Sequence, residues 1–246
     1  MRINNYISST GYCSRRQADD LISQGKVKIN GKTADIGQTV NPGDRVEVNG
    51  EYIKPAKNFV YIVLNKPVGI TCTTERHIKG NIIDFINHSE RIFPIGRLDK
   101  ESEGLILLTS DGSIVNEILM DKNKYEKEYV VTVNKEITPS FIEGMSNGVR
   151  IFNPVKNNYT RTNRCKVVKI DSHVFKIILT QGLNRQIRRM CSHFDYEVVK
   201  LRRVRIMGIT LKNLPIGKWR NLTKEEVKSL LSAKKTGPVK TEDENI

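Results

Sequence analysis

Residues 96–104 form a polar segment that begins and ends with glycine and lies between two apolar stretches of strand length. Its side chains are expected on a loop held by rigid elements, where binding and catalytic groups concentrate. Asp99 lies between Arg97 and Lys100, and nearby cations favour the carboxylate form of an aspartate. An ionised aspartate in a basic cleft can act as a nucleophile or a base. Charged connecting loops are common, so these residues alone favour an ordinary exposed loop.

A second basic segment, residues 181–194, changes that interpretation. At about 100° per residue, one apolar helical stripe is formed by Ile187, Met190, Cys191 and Phe194. Arg185 and Arg189 fall on the opposite face. Arg188 falls at the edge of the stripe, where an arginine can bury its stem and aim its guanidinium at a carboxylate. Farther along, the alternation from Arg202 to Ile206 is typical of a strand with arginine on one face. Either solvent or an anionic neighbour such as an RNA backbone is expected there.

The charge balance favours a polyanionic partner. The chain of 246 residues has 41 Lys and Arg against 27 Asp and Glu, which gives a net charge of +14. A field of this sign attracts nucleic acid, because each neutralised phosphate releases a counterion. An anionic membrane would require a basic amphipathic helix or a lipidation signal, and neither is evident. With no apolar leader visible after Met1, we expect a cytoplasmic protein without a membrane partner.

The cysteines do not indicate a metal or redox site. The four cysteines, Cys13, Cys72, Cys165 and Cys191, form no C-x-x-C pair. Reduced, buried thiols are therefore the expected state, and neither a zinc site nor a redox motif is expected.

The first 53 residues read as a small α/β unit. Ser14 and Gln17 have the spacing of a capping box, and Asn30-Gly31 and Asn49-Gly50 predict two hairpins. Basic side chains cluster on the capped helix and the first hairpin, namely Arg15, Arg16, Lys26, Lys28 and Lys32. They are interpreted as RNA contacts, with a solvated charged surface as the alternative.

The rest of the chain predicts a larger α+β domain. Residues 54–58 read as a linker, residues 59–233 as a domain with a mixed, mainly antiparallel sheet, and residues 234–246 as a disordered tail. Many short strands with short connections favour antiparallel pairing. The helix starts are predicted at Thr138-Pro139 and at Thr223.

Several segments together resemble a known family. Residues 1–50 are similar to the RNA-binding module of ribosomal protein S-four, carried by RINNYI at 2–7, CSRRQA at 13–18 and GKVKINGK at 25–32. The remainder resembles the RsuA-type pseudouridine synthases. The resemblance is carried, in the family's order, by LNKPVG at 64–69, GRLD at 96–99, GLILLTSDG at 104–112, Lys127-Glu128-Tyr129, and QGLNRQIRRM at 181–190.

The resemblance implies an isomerase that turns a uridine into pseudouridine without a cofactor. It implies that Asp99 is the catalytic aspartate, that Tyr129 stacks on the target base and is a candidate general base, and that Arg188 pairs with the aspartate. It places further residues beside the RNA, namely Arg97, Leu98, Lys100, Arg185, Gln186, Ile187 and Arg189. A strand aromatic that fills core is the alternative for Tyr129.

Residues 65–70, 149–155 and 181–186 most resemble the RluF branch of the family, which implies 23S ribosomal RNA as the target and a tRNA as a second one. A monomer is expected. A small-subunit rRNA target, or a non-catalytic RNA-binding or ribosome-assembly factor, is the alternative. One departure is the polar stretch 156–164, which is longer than usual for the family and could alter the RNA contacts.

Overall fold

The computed structural model describes residues 1–55, 58–120, 123–155 and 157–232. The described helices are α1 (Ile3–Ser9), α2 (Arg15–Ser23), α3 (Ile82–Ile86), α4 (Val115–Leu119), α5 (Pro139–Ser146), α6 (Gln186–Ser192) and α7 (Lys224–Ser232). The described strands are β1 (Val27–Ile29), β2 (Lys32–Thr33), β3 (Val46–Val48), β4 (Glu51–Ile53), β5 (Tyr61–Lys66), β6 (Phe93–Ile95), β7 (Glu103–Thr109), β8 (Lys127–Val133), β9 (Arg150–Asn153), β10 (Asn158–Arg161), β11 (Lys166–Asp171), β12 (Val174–Leu179), β13 (Val198–Ile206), β14 (Ile209–Thr210) and β15 (Trp219–Asn221). None of the described helices is both long and apolar enough to cross a membrane.

The chain divides into two compact units. The first contains Met1–Val60 with two later segments, His88–Ile92 and Thr109–Ser113, and the second contains most of the remainder. The first unit has α1, α2 and an antiparallel sheet in the order β2-β1-β3-β4. One face of its elements is apolar, and its core is formed by buried residues that include Ile3, Ile7, Val27 and Val46.

The second unit is built on one large sheet. Its strand order is β11-β12-β8-β13-β7-β5-β15, with β14 and β6 added at the side of β13 and β7. The pairs of β12 with β8 and of β8 with β13 are antiparallel, whereas β13 runs parallel to β7. The predicted fold class, α+β with a mainly antiparallel sheet, is confirmed. β7 is buried at every position, as expected of a central strand.

Local signals in the sequence set the ends of the helices. Ser14 and Gln17 form the predicted capping box at α2, and Thr138 caps α5 with Pro139 in its first turn. Asn30 and Asn49 adopt positive φ angles of 51° and 50°, each followed by a glycine with positive φ. Such angles at both central positions define the tight hairpin turn that Asn-Gly favours. These predictions are confirmed.

The polar stretch before Cys165 contains structure that the sequence did not reveal. β10 pairs with β9 in an antiparallel hairpin, with Phe152 opposite Tyr159 and Arg150 opposite Arg161. The strands have mixed polarity and no alternating apolar pattern, so periodicity could not find them. Part of the predicted linker, residues 56–57, and the predicted tail lie outside the described residues.

The expectation that the arginines of β13 face RNA is wrong for two of them. Arg205 donates to Glu128 Oε2 at 2.9 Å and to Glu126 Oε2 at 2.9 Å, so its anionic neighbours are protein carboxylates. Arg203 is only 4% exposed and donates to the Leu105 carbonyl oxygen at 2.7 Å. Sequence alternation identified the strand but could not identify the partners across it.

Candidate active site

A cavity of about 720 Å³ opens in the second unit. Its apolar lining includes Ile95, Leu107, Ile118, Leu201 and Ile206. The three residues expected to carry the chemistry, Asp99, Tyr129 and Arg188, all line it. Charged and polar side chains make up nearly half of the lining residues. A volume of this size is typical of sites for small molecules.

Asp99 lies in the turn between β6 and β7. Its carbonyl oxygen accepts a hydrogen bond from the Ser102 N–H at 3.0 Å, which closes the turn. The side chain is 33% exposed, and its Oδ2 lies 3.8 Å from Arg185 Nη1 and 4.0 Å from Arg188 Nε. In the described part of the chain, its ion-pair partners thus come from α6 and the residue before it, not from its sequence neighbours.

The guanidinium group of Arg188 is held by a backbone carbonyl oxygen and a hydroxyl oxygen. Its Nη1 donates to the Val198 carbonyl oxygen at 3.1 Å, and its Nη2 lies 3.4 Å from Ser102 Oγ. Its Nε is buried without a hydrogen-bond partner among the described residues. The 4.0 Å separation from Asp99 is too long for a hydrogen bond. The guanidinium therefore holds a free donor at the wall of the cavity, beside the carboxylate.

Arg185 is shared between two carboxylates. It precedes α6 with φ 49° and ψ 35°, and its Nη1 donates to Glu101 Oε2 at 3.0 Å. A hydrogen bond from its own backbone N–H, and next the bond from Arg185, hold the pKa of Glu101 below its usual range. Glu101 was not among the predicted site residues, although it is two positions after Asp99.

Tyr129 extends from β8 into the cavity wall. It is 9% exposed, and in the sheet it is opposite Ile177 of β12 on one side and Arg203 of β13 on the other. The ring is buried as a core residue is and also borders the cavity, so both interpretations of Tyr129 remain predictions.

The loop that carries Asp99 is tied to the segment after β5. Lys66 is fully buried, and its Nζ donates to the carbonyl oxygens of Pro67 and Ile70 at 2.8 and 2.9 Å. Burial lowers the pKa of its ammonium group. The Gly69 N–H then donates to the Lys100 carbonyl oxygen at 2.8 Å. The lysine of the LNKPVG motif therefore shapes a loop that supports the turn of Asp99.

A second support comes from β13. Arg203 Nε donates to the Leu105 carbonyl oxygen, and its Nη1 lies 3.5 Å from the Arg97 carbonyl oxygen. Its Nη2 is buried without a hydrogen-bond partner among the described residues. Cys72 also contributes, because its Sγ accepts a hydrogen bond from the Leu98 N–H at 3.4 Å. Burial raises the pKa of the Cys72 thiol, which keeps it neutral.

The predicted RNA-contact residues fall into three groups. Those that line the cavity are Arg97, Leu98, Lys100, Arg185, Gln186 and Ile187. Of these, Leu98, Gln186 and Ile187 are less than 8% exposed, so they shape the wall more than they reach outward. Arg189 does not line it and donates instead to the carbonyl oxygens of Asn184 and Phe152. Four residues of the first unit lie exposed on its surface, namely Arg15, Arg16, Lys28 and Lys32.

The segment before α6 is shaped by two buried amides. Gln186 Oε1 accepts from the Leu183 N–H at 3.0 Å, and Gln186 Nε2 lies 3.3 Å from Gln181 Oε1. This closes the turn from which Arg185 projects. Gln181 was part of a recognised motif but was not predicted as a site residue, and its role became visible only from these contacts.

Two family models match the chain. One, described as the S4 domain, matches residues 1–46, and the other, described as RNA pseudouridylate synthase, matches residues 60–193. The second match spans more than half of the chain. The chain belongs to the RNA pseudouridylate synthase family.

Relatives and solved structures agree with the family. The Dual-specificity RNA pseudouridine synthase RluF of Escherichia coli strain K12 is 57% identical over 92% of this chain and 77% of its own. The Ribosomal large subunit pseudouridine synthase B of Bacillus subtilis is 35% identical over 93% of this chain and 95% of its own. A crystal structure of a pseudouridylate synthase matches 94% of this chain and 99% of its own, with 26% identity and a TM-score of 0.68.

The protein is therefore an enzyme of the isomerase class, a pseudouridine synthase that acts on RNA. The similarity to the RsuA-type members and the S-four-like module at the N-terminus are confirmed. The non-catalytic RNA-binding factor, which the composition alone left open, is not supported.

Proposed function

We propose that this pseudouridine synthase modifies one specific uridine of 23S ribosomal RNA and accepts a tRNA as a second substrate. Two relatives support the proposal, one named for dual RNA specificity and one for the large ribosomal subunit. The observation that carries the assignment of the site is the cavity in which Asp99, Tyr129 and Arg188 meet.

Asp99 is the proposed catalytic carboxylate. The bond between base N1 and ribose C1′ breaks, the base turns, and C5 joins C1′. C5 loses a proton and N1 gains one, so no atom enters or leaves and no redox partner is consumed. Two guanidinium groups place positive charge within 4.0 Å of Asp99 Oδ2. Its partial exposure leaves one side open to a ribose.

Tyr129 and the apolar wall are proposed to hold the extruded base. A uridine must leave its stack before its sugar can be reached, which costs a few kcal/mol and less in a loop. Stacking on an aromatic face contributes roughly 1–3 kcal/mol per base. The buried ring of Tyr129 is positioned for this contact without reordering, because the sheet fixes its backbone on both sides.

Basic residues in and around the cavity, and on the first unit, are proposed to bind phosphates. Arg97, Lys100, Arg185 and Arg189 would contact RNA around the target, and Arg15, Arg16, Lys28 and Lys32 of the N-terminal unit would contact it elsewhere. Phosphate contacts position an RNA and offset the cost of extruding a base, while sequence is read at the base edges.

The domain boundaries, 1–53 and 59–233, and the monomeric state are parts of the same proposal.

The chemical proposal is tested by Asp99→Asn. The amide keeps the size of the side chain but loses the charge, so pseudouridine formation in 23S rRNA should fall below detection while RNA affinity changes less than about threefold. Asp195→Asn is the matched control, because Asp195 has φ 59°, a conformation that asparagine tolerates well. Pseudouridine made by the Asp99→Asn protein at the wild-type position would contradict the assignment.

The RNA target is tested by mapping pseudouridines in ribosomal RNA and tRNA from cells with the gene deleted and restored. The proposal expects one site in 23S rRNA, and a tRNA site, to disappear and return with the gene. If a pseudouridine is lost from small-subunit rRNA instead, the proposed 23S rRNA target is wrong and the small-subunit target replaces it.

A further inference from the structure

The β9–β10 hairpin carries an exposed face of aromatic and basic side chains. Antiparallel register places Arg150 opposite Arg161 and Phe152 opposite Tyr159, so all four share one face of the two-stranded ribbon. We call these four residues the hairpin face. Phe152 is 40% exposed and Tyr159 is 63% exposed, and their ring centroids lie 5.5 Å apart.

The positive charge of the region around the hairpin favours an anionic partner. Residues 144–170 contain no aspartate or glutamate, but they include six lysines and arginines. Two like charges directly opposite each other in a hairpin are destabilising. Arg150 lies 4.6 Å above the ring of Tyr159, and Arg161 Nη2 is 3.5 Å from the Asn147 carbonyl oxygen. Neither contact neutralises a guanidinium, so both charges remain available to a phosphate.

The hairpin is closed at its base and hydrogen-bonded to α6, which contributes side chains to the active-site cavity. At its base, Val149 N–H donates to Thr162 Oγ1 at 2.9 Å, and Thr162 N–H donates back to the Val149 carbonyl oxygen at 2.9 Å. Arg189 of α6 donates to the Phe152 carbonyl oxygen at 2.9 Å. Val155, beyond the end of β9, is 78% exposed and also lines the cavity. The hairpin face therefore borders the mouth of the site.

We infer that the hairpin face binds an unpaired nucleotide beside the target uridine. The base stacks on the Phe152–Tyr159 pair, and the adjoining phosphates lie against Arg150 and Arg161. This inference rests on the proposed function, since it takes RNA with an extruded uridine as the occupant of the cavity. Aromatic faces combined with a positive groove are how proteins hold single-stranded RNA without reading its sequence. The contact would restrict the enzyme to uridines that lie next to unpaired residues.

Binding of a fluorescein-labelled twelve-residue oligouridine tests the stacking. Phe152→Ala/Tyr159→Ala should raise its Kd by about fivefold or more, because stacking contributes roughly 1–3 kcal/mol per base. Phe152→Tyr/Tyr159→Phe should keep the wild-type Kd, whereas Phe152→Leu/Tyr159→Leu, which retains apolar bulk, should not. Ile170→Ala is the control, since Ile170 is 53% exposed on β11 and does not line the cavity.

The charged pair is tested by the salt dependence of the same binding. Arg150→Gln/Arg161→Gln should reduce the slope of log K against log salt by about 1.4, because each phosphate contact to a single strand contributes about 0.7. Lys166→Gln, an exposed cation on β11, is the control for loss of charge alone.

Turnover separates this inference from the proposed function. On 23S rRNA, the double alanine variant should raise KM by the same factor as Kd and change kcat less than twofold. If it binds and reacts like Ile170→Ala while the wild type is active, the hairpin inference is overturned and the proposed function stands. If the wild type makes no pseudouridine but the aromatic variants still lose oligouridine affinity, the proposed function fails and the binding surface stands.

Discussion

At the scale of single residues, the carboxylate of Asp99 is controlled by side chains from distant parts of the sequence. Arg185 and Arg188 approach its Oδ2 to 3.8 and 4.0 Å. Neither distance is a hydrogen bond, so the carboxylate is held by charge but keeps its lone pairs available. Glu101 takes the shorter contact with Arg185, at 3.0 Å. The proposed catalytic carboxylate is therefore not fully occupied by the neighbouring cations.

Replacing Glu101 with glutamine is a residue-scale prediction. It removes a negative charge from the wall of the cavity and releases Arg185. If the cavity binds RNA as proposed, KM for 23S rRNA should fall about two- to fivefold while kcat stays within twofold. Steady-state kinetics at low salt measure this, and the gain should shrink at high salt because exposed charges are screened.

Glu143→Gln is the control, because Glu143 is an exposed carboxylate on α5 that does not line the cavity. A KM that rises in Glu101→Gln, or falls equally in the control, would show that Glu101 does not compete for Arg185.

At the scale of secondary-structure elements, the close approach of β7 and β13 supports the turn of Asp99. Gly104 has φ +106°, and a Cβ there would lie 2.2 Å from the Arg203 carbonyl oxygen. The parallel pairing of Arg203 with Gly104 therefore requires glycine. The same strand contact brings the Arg203 guanidinium under the loop of Asp99.

Gly104→Ala should destabilise the enzyme by about 2–3 kcal/mol or more, since backbone atoms on both strands would have to separate. Urea unfolding measures the change. Gly208→Ala is the control, because a Cβ at Gly208 meets nothing within 4 Å. An unfolding free energy within 0.5 kcal/mol (about the size of a surface effect) of wild type would contradict the argument.

The start of α7 gives a prediction on pH. Hydrogen bonds from Arg220, together with one from the Thr223 N–H, lower the pKa of Glu226 to about 2. A lowered carboxyl pKa stabilises the folded state above the unfolded value, and this stabilisation is lost as pH falls toward about 2. Glu226→Gln should therefore cost about 1.5–3 kcal/mol at pH 7 and much less near pH 3.

Urea unfolding at pH 7, 5, 4 and 3 checks this dependence, with Glu197→Gln, an exposed carboxylate, as the control. If Glu226→Gln is destabilised by the same amount at every pH, the charge of Glu226 is not what stabilises the start of α7.

At the scale of the whole molecule, the cations behind the net charge of +14 occur in both units. In the first unit, four cations that the sequence assigned to RNA are exposed, namely Arg15, Arg16, Lys28 and Lys32. In the second unit, several arginines already donate hydrogen bonds to carboxylates or carbonyl oxygens of the protein, as Arg203 and Arg205 do. Net charge therefore overstates the number of cations free to bind phosphate.

Changing the four exposed cations of the first unit to glutamine should weaken binding to 23S rRNA and reduce the salt slope by about 3, at about 0.7–0.9 per phosphate contact. Filter binding between 50 and 200 mM salt (the range over which such slopes are about linear) measures it. An unchanged slope, with an unchanged melting temperature, would show that these residues do not contact RNA.

The sequence by itself determined the features that depend on near neighbours. A capping box at Ser14 and a turn at Asn30 need only residues within three or four positions, so their patterns are legible in the chain. The family motifs were also legible, because each is a contiguous run. Together they predicted Asp99, Tyr129 and Arg188 as site residues, and they predicted the mainly antiparallel domain that contains them.

Tertiary structure alone decided which side chains meet. Glu101 at Arg185, Arg205 at Glu126 and Glu128, and Arg203 beneath the loop of Asp99 are contacts between elements distant in sequence. The β9–β10 hairpin face arises from strand register, which pairs Phe152 with Tyr159. No local pattern encodes these choices, because a charged side chain pairs with whatever the packing of the sheet brings within about 4 Å of it.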